Sequence, residues 1–343
     1  MSWDTKRIIA GSAGPEDRLE ARERSNASSV PAAMFIVGVP RSGTTLLVNL
    51  LGHHPVLAPI YETRFLRNLL TLCRRACWYY GDSVTRDCAR LIAEPLVKAR
   101  LQKEFERYRS KVIAYSPIPP EGDGTKQSYE AFPYGESHCI RYDIEDLIRE
   151  TDKWLAETRT AHASPASLCQ SARKYVDALF GIHCARMKKP YWINKTPGLL
   201  TYLDLLPLLY PVSKCIHIIR DGRDVAVSNL SLPWGPKTVR EAARRWKNLM
   251  LQGRKSAQCE GVSYVEVRYE DLINAPKETL NKAIAFLGMD GSLDGVLDYL
   301  RISNSRKEVW RSSFSAVDRR MFDREAGDLL IELGYENNDN WAK

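Results

Sequence analysis

The sequence predicts an α/β protein: a parallel β-sheet with a phosphate-binding loop at one strand end, flanked by helices and carrying a large helical and loop insertion. Three observations predict it. A short apolar run, Met34-Phe-Ile-Val-Gly38, meets a loop rich in Gly, Ser and Thr and then the dense apolar pattern of a packed helix. Further apolar runs of strand length recur between helical stretches, the alternation of a parallel sheet. The chain has 343 residues, 44% of them apolar and 27% charged, enough for one large domain with a real core.

Taken in order, residues 1–32 are polar and charged and read as a flexible lead-in to a single domain over 33–343. The run 34–38 suits a strand buried on both faces, and 45–51 the helix that follows its loop. From about 65 to 110 the pattern is helical, with Leu91, Leu96, Leu101 and Phe105 set among many Arg and Lys. Residues 112–137 mix Pro117, Pro119, Pro120 and Pro133 with Tyr115, Tyr129, Phe132 and Tyr134. So long a loop reads as a lid or acceptor-binding segment. It belongs to an insertion spanning about 70–165, and a helical stretch over 165–188 follows. Residues 191–194, 214–219 and 263–268 read as three more strands, with a helix-like 198–209 between the first two. The segment 276–343 is mostly helical, with a loop around 301–316.

The formal net charge of +8 points to a polyanionic partner. Nucleic acid and a nucleotide bearing several phosphates satisfy that electrostatics equally. The basic run 98–111 is a solvated helix face or a contact to an acidic acceptor, and no nucleic-acid motif accompanies it, so no nucleic-acid partner is expected. Eight cysteines are scattered without a C-x-x-C pair or zinc-ligand spacing, which fits unpaired thiols in a reducing compartment. No run of 18 apolar residues is long enough to cross a bilayer. The first residues lack the apolar core of a secretory signal. The expectation is a cytoplasmic enzyme with no integral membrane segment.

Gly38-x-x-x-x-Gly43-Thr44-Thr45 has Walker A spacing, with Thr44 where the lysine belongs. Consecutive backbone N–H groups at a helix N-terminus cradle an anion. Without the lysine that reaches the β- and γ-phosphates, γ-phosphoryl transfer loses its main cation. Arg41 offers instead a planar fork for a terminal phosphate or sulfonate. A sulfonate carries less charge than a γ-phosphate, so no metal is expected. Further on, Arg220 stands at a strand's carboxyl end, where ligands of open α/β sheets gather. Ser228 follows eight residues later, and the two can bracket a second phosphate.

These residues carry a family resemblance. Val39-Pro-Arg-Ser-Gly-Thr-Thr-Leu46 resembles the 5′-phosphosulfate loop of sulfotransferases that use 3′-phosphoadenosine-5′-phosphosulfate (PAPS). Ile218-Ile-Arg-Asp-Gly-Arg-Asp-Val-Ala-Val-Ser228 resembles their 3′-phosphate motif, and Tyr264-Val-Glu-Val-Arg-Tyr-Glu-Asp-Leu272 the strand and turn that supply a nucleotide-contacting tyrosine, here Tyr269. Within the family the likeness is to the tyrosylprotein and related bacterial types. It implies a P-loop-like sheet and PAPS as sulfuryl donor, with 3′-phosphoadenosine-5′-phosphate (PAP) as product. It also implies donor contacts from Pro40, Arg41, Ser42, Gly43, Thr44, Thr45, Arg220, Ser228 and Tyr269. The late basic pair Arg306 and Lys307 resembles the segment that folds over the nucleotide, but the family's following glycine is missing, and Trp310 is equally a core anchor.

Sulfuryl transfer to a hydroxyl needs a base for the acceptor and positive charge at the bridging oxygen. The resemblance implies Glu62, before Thr63-Arg64, as base, and Lys195 of Asn194-Lys-Thr-Pro197 on the leaving-group side, with Arg41 beside them. His53 and His54 are rival bases beside a helix stop, and His138 is a weaker one. His217 lies within an apolar strand and reads as core. The acceptor is a phenol or alcohol whose identity the sequence leaves open, as it does the oligomeric state. The alternatives are a P-loop kinase or triphosphatase with Asp221 as metal carboxylate, and a protein that holds the nucleotide without catalysis.

Overall fold

Alternation along β1 (Ala33–Val37) sends Met34 and Ile36 into one apolar cluster and Phe35 and Val37 into another, all of them buried. A strand buried on both faces belongs inside a parallel sheet. In this computed structural model, which describes residues 33–83, 90–114, 144–160, 164–293 and 306–342, β1 is the central strand of five. The others are β2 (Leu57–Tyr61), β3 (Tyr191–Lys195), β4 (Ser213–Ile219) and β5 (Val262–Arg268), in the order β2-β3-β1-β4-β5 with every pairing parallel. Registers of Tyr61 with Lys195, Ile36 with Lys195 and Ile219 with Arg268 bring the carboxyl ends to one edge.

β2 is absent from the sequence reading. Its five residues include Pro59, and a proline argues against an interior strand but is tolerated at a sheet edge, where β2 lies. The helix-like 198–209 is a 3-10 helix, Pro197–Leu208, with Pro207 inside it; proline removes a donor that an α-helix needs.

Two layers cover the sheet. Met34, Ile36, Ile216 and Ile218 pack against α1 (Thr44–Leu51), α8 (Tyr269–Asn274) and α9 (Pro276–Leu287). Phe35, Val37, Cys215 and Ile219 face the larger layer. It holds α2 (Arg64–Ser83), α5 (Pro165–Met187), α6 (Gly222–Leu230), α7 (Val239–Ser256) and α11 (Ala316–Glu332). The inserted α3 (Arg90–Ala114) and α4 (Ile144–Thr160) join that layer through an aromatic nucleus. There Trp154 stacks on Tyr175 at 5.3 Å and meets Tyr108 edge-on at 5.7 Å.

The expected lead-in 1–32 and most of the expected loop 112–137 lie outside the described residues, as does His138. The short helix α10 (Trp310–Ser313) interrupts the region expected to be loop around 301–316. Trp310 is buried and meets Trp341 edge-on at 5.6 Å, so it anchors the core. The six described cysteines are unpaired thiols. Among the described residues no helix is long and apolar enough to cross a membrane.

Candidate active site

β1 and β4 are neighbours whose outgoing loops run to opposite faces, to α1 and α6. Such a switch point opens a crevice at the carboxyl edge. The loop 38–43 fits there because two of its positions have no room for a side chain. A Cβ on Gly38 would lie 2.7 Å from the Ile218 carbonyl oxygen. One on Gly43, whose φ of 97° is left-handed, would lie 2.4 Å from the Tyr269 ring. Gly43 is the N-cap of α1 and supplies no side-chain cap, so the first N–H groups of the helix face the loop's concavity. Thr44 is buried and Thr45 half-buried at its start, and Pro40 is half-buried at the loop's far side.

Arg41 joins the two loops. Its Nε donates to the Ser228 hydroxyl at 2.9 Å, and its carbonyl accepts from Arg220 Nη1 at 3.0 Å. Arg220 is 5% exposed, lies 4.5 Å over the Tyr269 ring, donates from Nη2 to the Arg306 carbonyl and stands 3.5 Å from Asp224. Partial burial, then the charges of Arg306 and Arg220, hold the Arg41 guanidinium below its usual value. Burial raises the Tyr269 phenol, against the pull of Arg220 and Arg306. Three guanidinium groups thus crowd one crevice. Two buried polar atoms at its floor, Ser42 Oγ and Arg220 Nε, have no hydrogen-bond partner among the described residues. A buried polar group without a partner costs about 1–3 kcal/mol.

The sequence expects Arg220 and Ser228 on one phosphate; here Arg41 stands between them. Of the late basic pair, Arg306 reaches the crevice, while Lys307 Nζ turns to the Asn274 side chain at 3.4 Å. Asp221 and Arg223 pair at 2.7 Å in the interior, where Arg223 is 2% exposed, 3.8 Å over Trp310 and 4.6 Å over Trp341. Asp221 also caps α6. Its carboxylate is thereby committed to fold.

At the neighbouring strand ends, Lys195 Nζ and Glu62 Oε1 are 3.0 Å apart. The lysine is 2% exposed, with its ammonium 5.4 Å from the Tyr61 ring, whereas about half of the Glu62 side chain is exposed. The pair is held from beneath. Glu62 N–H donates to the Lys195 carbonyl at 2.7 Å, Thr63 N–H to Thr196 Oγ1 at 2.9 Å, and Asn194 Nδ2 to Thr63 Oγ1 at 2.8 Å. Glu62 adopts a left-handed φ of 48° and Arg41 one of 78°. Each costs of order 1–3 kcal/mol and persists only where surroundings impose it. The edge therefore presents a proton acceptor and an ammonium donor side by side, one β-strand away from the loop.

Of the two histidines beside the helix stop, His53 is half-buried and His54 is tied into the fold. His54 is buried, with Nε2 3.0 Å from the Asp290 carbonyl. His217 is fully buried in β4 beside the Tyr264 hydroxyl at 2.5 Å. Sequence reasoning missed Asp224, which accepts the Glu308 and Trp310 N–H groups at 2.8 and 3.1 Å and pins the C-terminal segment over the crevice. Its only signal was a place inside the second motif. Among the described residues, no group of three or more His, Cys, Asp or Glu side chains is arranged to hold a metal ion.

The model of the sulfotransferase family matches residues 32–115 and 120–292. Nodulation protein NoeE of Sinorhizobium fredii is 29% identical over 359 aligned positions, covering 92% of this chain and 69% of the relative. An uncharacterized protein of Aquifex aeolicus is 25% identical over 317, covering 87% of this chain but 32% of the relative. Among solved structures, the sulfotransferase domain of the Synechococcus PCC 7002 olefin synthase superposes with a TM-score of 0.44 at 17% identity, over 85% of this chain and 93% of that one. A sulfotransferase from Mycobacterium avium does so with a TM-score of 0.44 at 14% identity, over 92% and 80%.

Proposed function

Because the chain belongs to the sulfotransferase family, we propose that it moves a sulfuryl group from PAPS to a hydroxyl acceptor by in-line displacement, with Glu62 as general base. The observation that carries this reading is the crevice at Arg41. Three guanidinium groups and the orphaned buried atoms Ser42 Oγ and Arg220 Nε converge where the N-terminus of α1 opens. That is a site for two anionic groups, not one. The loop from Pro40 to Thr45 holds the 5′ group; Arg220, Ser228 and the Arg306 segment hold the 3′-phosphate that distinguishes PAPS from ADP-like nucleotides. Tyr269, packed under Gly43 and Arg220, sets the floor between them.

PAPS, when bound, supplies the sulfuryl group. Glu62 takes the acceptor's proton as the new O–S bond forms. Lys195, buried and already oriented by Glu62 and Tyr61, stabilises the charge left on the bridging oxygen as the old O–S bond breaks. Fixing both groups to adjacent strand ends removes the cost of orienting them during reaction.

Phosphoryl transfer has less support. Thr44 replaces the Walker lysine, and the Asp221 carboxylate accepts from the N–H, Nε and Nη2 of Arg223. Transfer from 35S-labelled PAPS to a panel of phenols, alcohols and glycans, run beside magnesium ATP hydrolysis, tests the reading. Label transfer without ATP turnover is expected; magnesium-dependent ATP turnover with no PAPS binding reverses it.

A further inference from the structure

Along α2, the helix that follows Glu62, the structure holds a second concavity, of about 280 Å³, between α2 and α3. Its walls carry Arg67, Asn68 and Arg75 from α2 and Glu104, Arg107 and Lys111 from α3. Four cations thus face one carboxylate. Glu104 is already shared, at 2.5 Å with Arg75 and 3.0 Å with Arg107. Arg67 and Lys111 line the same cavity with no carboxylate on either among the described residues. The side-chain nitrogen of Asn68, also on the wall, is buried and has no acceptor among the described residues.

Position ties this cavity to the reaction. α2 begins two residues after Glu62. Its face 67, 71, 75 recurs at one side-chain spacing and runs about 12 Å along the helix. At the near end, a Cβ on Gly198 would lie 3.6 Å from Arg67 Nη1, three residues beyond Lys195. Tyr202, four residues further along the same 3-10 helix, closes the wall.

We propose that this cavity is the acceptor subsite, and that it selects a small hydroxyl compound bearing a carboxylate or phosphate. The inference rests on the sulfotransferase reading and extends it to the acceptor's charge. An anion between Arg67 and Lys111 pairs with both cations and takes the Asn68 amide, while the hydroxyl projects toward Glu62. The volume sits near the lower end of ligand pockets, roughly 300–1,000 Å³, which fits a small molecule and not a nucleic-acid strand. Both anion types offer the same oxygens to an arginine fork.

The test uses matched probes with the full-length protein and labelled PAPS: 4-hydroxybenzoate against its methyl ester, and glucose 6-phosphate against glucose. The carboxylate and phosphate arms separate the two sources of charge. At least one anionic probe is expected to exceed its neutral counterpart about ten-fold in kcat/KM. Arg67→Gln and Lys111→Gln should each close that gap by raising KM, with PAP affinity unchanged. If neither anionic probe outperforms its counterpart, through equal use or no use, the proposal fails. It fails equally if both glutamine variants keep the preference. PAP affinity, measured by calorimetry on the same samples, is the separate readout of the underlying reading: its absence overturns that reading, and its presence confines a failure to the acceptor proposal.

Discussion

Arg41 touches both halves of the proposed donor crevice, through Nε to Ser228 and through its carbonyl to Arg220. Its left-handed φ of 78° is the backbone cost of presenting both. In the proposed mechanism the chemistry falls to Glu62 and Lys195, the ion pair at the neighbouring strand ends. Glu62→Gln keeps an oxygen to accept from the buried Lys195, so the variant should fold and bind PAP as the wild type does. It should nonetheless lose on the order of 10²–10⁴ in turnover, the worth of a positioned base. Calorimetry with PAP beside labelled transfer checks both halves, and undiminished transfer removes Glu62 from the mechanism. Lys195→Ala should cost about 10²–10³ in turnover, with a smaller change in acceptor KM. At this scale the sequence was legible where a motif names its residues: Arg41, Glu62, Lys195 and Arg220 all stand at the carboxyl edge. What it did not disclose was who touches whom. That Ser228 meets Arg41, and that Lys307 turns to Asn274, depends on side-chain directions that no spacing encodes.

Each strand end here serves one element of the site, and the loop–helix junction after β1 has the least tolerance. Gly43→Ala puts a methyl group into the Tyr269 ring at a left-handed φ. It should lower stability by about 1–3 kcal/mol and weaken PAP binding, seen as a shifted urea midpoint and a raised Kd. Asp224 plays a comparable part for the C-terminal segment, since its two oxygens hold the N–H groups of Glu308 and Trp310. Asp224→Asn leaves one of them without a good acceptor, a loss of about 1–3 kcal/mol that the same urea titration reads. Four of five strands were legible because apolar runs bounded by Gly, Pro and polar turns mark them. β2 was not, because Pro59 breaks the pattern that an interior strand shows and only the edge position excuses it. The 3-10 geometry of 197–208 escaped for a related reason: its leucine density reads as a helix, and only Pro207 argues for a tighter one.

Across the whole molecule, the sheet is braced from its far edge. Glu266 of β5, despite burial, is held well below the usual carboxylate range by Arg254, His217 and Tyr264. Burial also lowers His217 below its ordinary value. Both groups have folded-state values below their unfolded ones, so both contribute stability that is present above the unfolded values and lost as pH falls. The loss should begin near about 6.5 for the histidine and continue below about 4.3 for the carboxylate. Urea midpoints measured from about pH 7 down to about pH 3 should decline steadily, and Glu266→Gln should flatten the part below about 4.3. Composition and strand alternation were sufficient to read the parallel α/β sheet, but not the aromatic nucleus of the insertion, whose partners Tyr108, Trp154 and Tyr175 lie far apart in sequence. The central claim, a crevice built for two anionic groups, is tested most directly by titrating PAP and ADP into the wild type and Arg220→Ala. PAP should bind the wild type about ten-fold or more tighter than ADP, and the variant should lose that preference. Equal affinities in the wild type, or a preference untouched by Arg220→Ala, would contradict the account.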